Sequence, residues 1–242
     1  IIHLAAQAGV RYSVDNPEVY FKNNLEGFFN ILELSRLHKI KHLVYASSSS
    51  VYGDQSQFPT KENYESSKPL SFYAATKKSN EIMAYSYSNI YKLPTTGLRF
   101  FTVYGPFGRP DMSLFSFCKS ILSLKPIKLY NNGNHIRDFT YIDDILKPIK
   151  KIIEKPSLKK IPYEIFNLGN SNPRKIFDYL NIIENELNIK SIRKKIKIQK
   201  GDIKKTHSDT SKFRKLYKFK STSIEIGIKN FVEWYKDFYL KK

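Results

Sequence analysis

Cysteine is nearly absent: Cys118 is the only one in 242 residues. That excludes an intrachain disulfide and the Cys/His clusters of a structural zinc site, so no metal is expected and a reducing cytoplasm is the expected location. Long apolar runs are missing as well. Each run is broken by Lys, Asn or Asp before it nears the roughly 20 residues a membrane span requires, so no transmembrane segment is expected. The ten glycines form neither Gly-x-x-Gly-x-x-Gly nor Gly-x-Gly-x-x-Gly, the turn that cradles a dinucleotide pyrophosphate at a helix N-terminus. Acidic residues are scarce, 22 against 41 Lys and Arg, for a net charge of +19. Such a balance raises nucleic acid or a membrane surface as partner. The lysines are spread along the chain, however, and the one dense stretch, Lys190 to Lys205, opens with alternating apolar and basic residues, as a strand with one solvated face does. Neither partner is expected, while a charged small substrate would profit from the field.

What is present is a 41% hydrophobic composition, which reads as soluble and globular and is long enough for one large domain or two modest ones. Ile1 to Ala6 reads as a buried strand. Apolar residues at Val19, Leu25, Phe28, Phe29 and Leu32 recur at helical spacing over Pro17 to His38, with Asn16 as cap and Pro17 at the first position. His42 to Ser47 is a strand, Phe72 to Tyr91 a helix and Thr95 to Phe101 a strand. This alternation implies parallel strands with crossover helices. Beyond Tyr104 come a rigid turn at Gly105-Pro106-Phe107-Gly108-Arg109-Pro110, a helix near Leu114 to Leu124 and a strand at Ile127 to Tyr130. A helix over Tyr141 to Glu154 follows despite Pro148, then a strand from Glu164 to Leu168. Helices near Lys175 to Leu187 and Ile224 to Tyr239 flank the basic strand. No repeat or low-complexity linker is visible.

Tyr73 and Lys77 lie four apart on a predicted helix and therefore share one face. A phenol needs about 3 kcal/mol to drop about two pKa units and serve as a base near neutrality. One ammonium at about 5 Å, in an effective dielectric near 20, supplies roughly that amount. Spacing alone leaves a surface pair open, because the chain has 17 Tyr and many Lys. The serine run Ser47 to Ser50 supplies the context: it ends a predicted parallel strand, where catalytic groups gather, and its hydroxyls can bond the same substrate oxygen. An ordinary strand-to-loop turn remains the other reading of those serines.

The segments HLAAQAGVRYS, ASSSSVYG, SFYAATKKSNE, TGLRFFTVYGPFGRPDM, RDFTYIDDI, FNLGNSNP and FVEWY resemble the extended short-chain dehydrogenase/reductase family of nucleotide-sugar enzymes, and within it the UDP-glucuronate 4-epimerases. The likeness runs over essentially the whole chain. It implies an α/β fold: an incomplete Rossmann-type doubly wound parallel sheet, with 1–103 and 138–168 binding NAD, and a smaller α/β substrate domain of 104–137 and 169–242. By the same resemblance Ser48 is the catalytic hydroxyl, Tyr73 the general base, and Lys77 the residue that holds the nicotinamide ribose and lowers the Tyr73 pKa. Ala5, Ala6, Asn23 and Phe101 are similar to positions lining NAD. Ser49, Ser50 and Thr102 resemble groups holding the sugar and its carboxylate, and Arg109, Arg137 and Asp202 resemble substrate-binding positions. A guanidinium fork suits carboxylate and phosphate, although a structural pairing of Arg137 with Asp138 or Asp202 stays open.

The implied reaction is an isomerisation of the EC 5.1.3 kind, through a transient 4-keto sugar with no net redox. Related dehydratases carry an Asp-Glu pair just after the catalytic hydroxyl and uronate decarboxylases a Glu; Ser49 and Ser50 stand there instead, which removes the acid and base of elimination. Another UDP-sugar as substrate, or a non-catalytic binding protein on the same fold, are the alternatives. The resemblance also implies a homodimer through a four-helix bundle of the helices at Pro17–His38 and Phe72–Tyr91. Phe107 stands where many relatives have Trp. Lys200 stands near where many place an Arg on the pyrophosphate, and an ammonium cannot form the bidentate fork.

The chain opens inside an apolar strand, without Met, basic leader or cleavage pattern, and the resemblance begins mid-sheet. It is therefore expected to be the C-terminal part of a longer protein whose glycine-rich unit would add roughly 75 residues. Alone, it is expected to bind NAD weakly or not at all, to be inactive and to be poorly stable, because loss of the opening strands exposes a parallel sheet.

Overall fold

The computed structural model describes residues 1–198, 203–218 and 221–240. Contacts divide the chain into two units: 1–101, 147–168 and 208–218 make the first, and the described residues of 102–146, 169–207 and 219–242 the second.

Four parallel strands form the sheet of the first unit, β1 (Ile2–His3), β2 (Leu43–Ser48), β3 (Thr95–Phe100) and β4 (Tyr163–Leu168), in the order β1-β2-β3-β4. Leu43, Val44 and Tyr45 are fully buried, as expected of a strand covered on both faces by crossover helices. Gly97 in β3 is needed for a close approach: a Cβ there would sit 2.4 Å from Ile165 Cδ1 and 2.6 Å from Tyr45 Oη. Phe28, Leu32, Leu43, Tyr45, Ala84, Leu93 and Ile165 make up the core beneath.

The first crossover holds a short helix at Tyr12–Asp15 and is helical again from Pro17, but not as one regular helix. After Pro17–Tyr20 the turns widen to a π-helix over Phe21–Glu26 and tighten again into α1 (Gly27–Leu37). Asn16 occupies the cap position with Pro17 behind it, yet its side chain makes no cap bond, contrary to the sequence expectation. The second crossover, α2 (Phe72–Tyr91), has the expected bounds. Ser71 caps it by accepting the Ala74 N–H at 3.2 Å, and Lys92 ends it in the left-handed region at φ 55°. Its inward face carries Thr76, Lys77, Asn80 and Glu81 between Ala74 and Ala84, with Ser88 buried beyond them. Side chains of these types are rarely buried without a specific partner.

The unit boundaries differ from those expected from the sequence. Phe139–Tyr141 pairs in parallel with Thr102–Tyr104 and so stays in the second unit. The short helix Ser211–Leu216 joins the first unit: Phe213 and Tyr217 lie 6.0 and 6.5 Å from the Phe166 ring, and Lys212 Nζ donates to Glu164 Oε2 and the Ile165 carbonyl at 2.7 Å each. The second unit holds two further strand pairs, Ile127–Tyr130 parallel with Arg193–Ile196 and Ile136–Arg137 antiparallel with Arg174–Lys175. Helices Ser113–Leu122, Ile176–Leu187 and Ile224–Tyr239 bury Phe117, Cys118, Tyr179, Ile183, Ile228 and Phe231 in its core. A helix over Asp143–Ile153 forms with Pro148 inside it, as expected. No helix among the described residues is long and apolar enough to cross a membrane.

Candidate active site

The carboxyl end of β2 and the first half of α2 are locked together by polar contacts. Lys77 Nζ donates to the Ala46 carbonyl at 2.9 Å, and one turn later Ser47 Oγ donates to Glu81 Oε1 at 2.6 Å. Ser48 follows directly, 8% exposed, its Oγ accepting the Ser50 N–H at 3.2 Å and so starting the 3-10 turn Ser49–Tyr52. Ser49 and Ser50 are half-buried on that turn. Tyr73 is half-buried one turn before Lys77, and its ring meets the Tyr20 ring edge-on at 6.0 Å. The hydroxyl, the phenol and the amine singled out in the sequence thus lie on two elements bonded to each other.

Burial dominates the electrostatics of Lys77. Only 4% exposed, its ammonium is lowered by desolvation to a pKa of about 8. The group is charged at neutral pH but held weakly so. Its field reaches the end of β1, where burial first and the Lys77 charge second depress the His3 pKa.

A second buried set braces the same place. Arg99, on β3, forks onto Glu81, Nε to Oε1 at 2.7 Å and Nη2 to Oε2 at 2.8 Å, and its Nη1 donates to the Glu62 carbonyl at 2.9 Å. Its guanidinium lies 4.7 Å above the Tyr52 ring, and Tyr52 Oη donates to Asn167 Oδ1 at 2.6 Å. Burial pushes the Glu81 carboxyl upward, but the Arg99 fork, the Ser47 hydroxyl and Lys78 outweigh it and hold the group below its ordinary range. Asn24 does similar work on the other side. Its amide exchanges bonds with the Gln7 backbone at 2.8 and 3.0 Å and donates to Thr76 Oγ1 at 3.1 Å, while Asn80 donates to the Asn24 carbonyl at 2.7 Å. Asn24 lies inside the π-helical stretch and is its buried residue, and such bulges recur at functional sites.

Tyr20, Asn24, Glu81 and Arg99 were missed in the sequence. Two signals were there: Glu81 extends Tyr73-x-x-x-Lys77 by another four residues on the same helix face, and Arg99 is a charge inside the apolar strand TTGLRFF.

Ala5 is exposed and Ala6 half-buried after β1; Phe101 is buried beside Val51 and Tyr52. Asn23 is exposed on the π-helical stretch and bonds the Val19 carbonyl at 2.8 Å. Thr102, Arg109 and Arg137 belong to the second unit. Arg109 is exposed and forks onto Asp111, Nε to Oδ1 at 3.0 Å and Nη2 to Oδ2. Arg137 Nη1 donates to the Ile136 and Lys204 carbonyls at 3.0 and 3.2 Å, while the Asp138 carboxylate accepts the Asn170 and Ser171 N–H groups at 3.1 Å. Asp202 and Lys200 lie outside the described residues.

A dinucleotide fits these donors at its nicotinamide-ribose end. An ammonium has three N–H donors, the Ala46 carbonyl takes one, and the rest suit ribose hydroxyls beside a phenol. No glycine-rich turn in the sequence offers a pyrophosphate cradle.

A family profile described as the NAD dependent epimerase/dehydratase family matches residues 1–169. The protein CapI of Staphylococcus aureus is 45% identical over an alignment covering 100% of this chain and 77% of that protein. A probable UDP-glucuronate 4-epimerase of Rhizobium meliloti is 42% identical, with 99% of this chain and 75% of that protein covered. The crystal structure of UDP-glucuronic acid 4-epimerase from Bacillus cereus, in complex with UDP-glucuronic acid and NAD, superposes with a TM-score of 0.91 at 33% identity, covering 98% of this chain and 76% of that one.

Proposed function

The chain belongs to the NAD dependent epimerase/dehydratase family, and on that premise we propose that it carries the site of a UDP-glucuronate 4-epimerase. The observation that carries the reading is the run Ser48-Ser49-Ser50 at the end of β2, bonded to a helix that presents Tyr73 and Lys77. It supplies a base and hydroxyl donors without a carboxyl group beside the sugar. The relatives named UDP-glucuronate 4-epimerase support the substrate.

Tyr73 takes the proton of the sugar 4-hydroxyl, and Lys77, an ammonium below pH about 8, stabilises the phenolate that does so. Ser48 donates to the same sugar oxygen and holds it against Tyr73. Ser49, Ser50 and Thr102 hold the carboxylate through hydroxyls, which keeps it from aligning for loss of carbon dioxide. Arg109 and Arg137 take the anionic groups of the nucleotide-sugar, with Asp202 a further substrate contact. NAD, when bound, would be held by Tyr73, Lys77, Ala5, Ala6, Asn23 and Phe101 and would supply a reversible hydride acceptor for C4, with no net redox change. The proton held on Tyr73 returns to the sugar 4-oxygen.

A homodimer through α1 and α2 is part of the proposal. Leu34, Leu37, Ile82, Tyr85, Ile90 and Tyr91 are each 47–63% exposed on those helices, an apolar surface of the kind that partners cover. A lone buried cysteine fits a cytoplasmic setting.

The test is a chimera that adds the part of the Staphylococcus aureus relative outside the match, incubated with NAD and UDP-glucuronate. UDP-galacturonate should accumulate, and Tyr73→Phe should slow it about 10²–10⁴-fold. An unchanged rate in Tyr73→Phe refutes the mechanism. Abundant UDP-pentose overturns the role given to the serines, and faster turnover of a neutral UDP-sugar favours a different substrate.

A further inference from the structure

The turn Gly105-Pro106-Phe107-Gly108 in the second unit is closed by the Gly108 N–H donating to the Gly105 carbonyl at 3.2 Å. Pro106 suits its second position. The third holds Phe107 at φ +59°, where a turn of this kind takes glycine or asparagine. A bulky side chain in that region is strained, and such strain persists only where surroundings enforce it.

The surroundings are aromatic. The Phe107 ring lies 5.2 Å from Trp234 and 5.7 Å from Phe238, edge-on to the latter at 81°, and Trp234 stacks on Phe238 at 5.6 Å. Trp234 and Phe238 are one turn apart on the helix Ile224–Tyr239. Phe107 stays 77% exposed, so removing its ring opens little core. The near side of the turn is seated too: a Cβ on Gly105 would meet Ile142 Cγ2 at 2.4 Å. Two residues past Phe107 comes Arg109, whose carbonyl accepts the Met112 N–H at 3.1 Å ahead of the helix Ser113–Leu122. The guanidinium is thus carried on a short segment whose tip is fastened to the C-terminal helix through Phe107.

We propose that Phe107, Trp234 and Phe238 form an aromatic anchor that positions Arg109 for the anionic part of a UDP-sugar, with Phe107 a positioning residue rather than a ligand contact. The anchor offsets a strained backbone so that the guanidinium stands ordered in advance, leaving its exchange of Asp111 for substrate oxygens as the remaining step. The inference rests on the reading of Arg109 as a substrate-binding residue.

The chain has one tryptophan, and Trp234 packs on the Phe107 ring, so its emission reports the anchor directly. UDP-glucuronate is titrated by calorimetry, without cofactor, into the full chain and into Phe107→Gly, Phe107→Tyr, Arg109→Gln and the Phe107→Gly/Arg109→Gln double variant. Glycine relieves the strained φ, so Phe107→Gly should fold with an unchanged or higher melting temperature while Trp234 emission moves to the red. It should bind about tenfold more weakly, whereas Phe107→Tyr should stay within about twofold of the parent. In the Arg109→Gln background the glycine should add less than about twofold. Unchanged emission or unchanged binding in Phe107→Gly overturns the anchor, as does an equal loss in both backgrounds. If Arg109→Gln itself binds like the parent, the substrate role of Arg109 fails and the anchor's purpose falls with it; if Arg109→Gln is weak and Phe107→Gly is not, only the anchor fails.

Discussion

Lys77→Met should make the protein more stable while disabling its chemistry. Burial lowers the Lys77 pKa from 10.5 to about 8, and at 1.36 kcal/mol per unit the folded state bears about 3 kcal/mol for keeping that ammonium charged. Methionine fills similar space without the charge and gives up one bond to the Ala46 carbonyl, about 1 kcal/mol. A net gain of about 2 kcal/mol remains, or about 4–8 °C in melting temperature for a chain of this size. The pH dependence separates this from better packing. Below pH 8 the amine is protonated folded and unfolded, and the cost is constant; between 8 and 10.5 the folded state sheds its proton first, so stability rises with pH until the cost is gone. Relative to Lys77→Met, the parent should therefore recover about 2 kcal/mol between pH 7 and pH 9.5. Circular dichroism melts of both proteins at the two pH values measure it, and the tyrosines common to both cancel. A variant no more stable than the parent at pH 7, or a gap that does not narrow with pH, would refute the reasoning.

Arg99→Met strands the Glu81 carboxylate in the core and should cost about 3–5 kcal/mol in urea unfolding; a loss under 1 kcal/mol would show Glu81 to be solvated. Because the Glu81 pKa is held low, its stabilisation is present above the ordinary carboxylate range and lost as pH falls through the depressed value, so Glu81→Gln should flatten the acid limb of a stability-against-pH curve. Gly97→Ala drives a methyl into Ile165 and Tyr45 and should cost about 1–3 kcal/mol by the same unfolding assay; a neutral substitution would mean that β3 shifts freely. Burial pushes the Cys118 thiol up to about 12, so iodoacetamide at pH 8 should leave native protein unlabelled and modify it fully in denaturant, and equal labelling rates would contradict the buried site.

The parallel sheet and the bounds of α2 were legible from local signals, the sheet in runs such as HLVYA that are covered on both sides, whereas the Ser71 cap of α2 emerged only from the structure. Tyr73 and Lys77 stood out because their spacing puts them on one helix face, and Ser48 because ASSSSVYG resembles the family's motif; the structure sets all three on β2 and α2, which bond to each other. What escaped depends on contacts between distant parts of the chain. The π-helical stretch carries Asn24, which bonds Gln7 and Thr76, 17 and 52 residues away. The short helix Ser211–Leu216 joins the first unit because Lys212 finds Glu164, 48 residues off. Phe107, at φ +59°, packs against Trp234, 127 residues away, and no rule for turns would put phenylalanine there.

One contact bears on how this site tolerates change. Lys77 is tethered to the main-chain oxygen of residue 46 rather than to a side chain, so no substitution at that position can delete its partner. Any residue that the strand accepts presents the same acceptor at the same height, because the hydrogen-bond ladder between β2 and β3 fixes it. The anchorage is written in the register of the sheet and is hidden from single-residue scanning; a one-residue slip of β2 would move it by a whole step and turn its side chains to the opposite face.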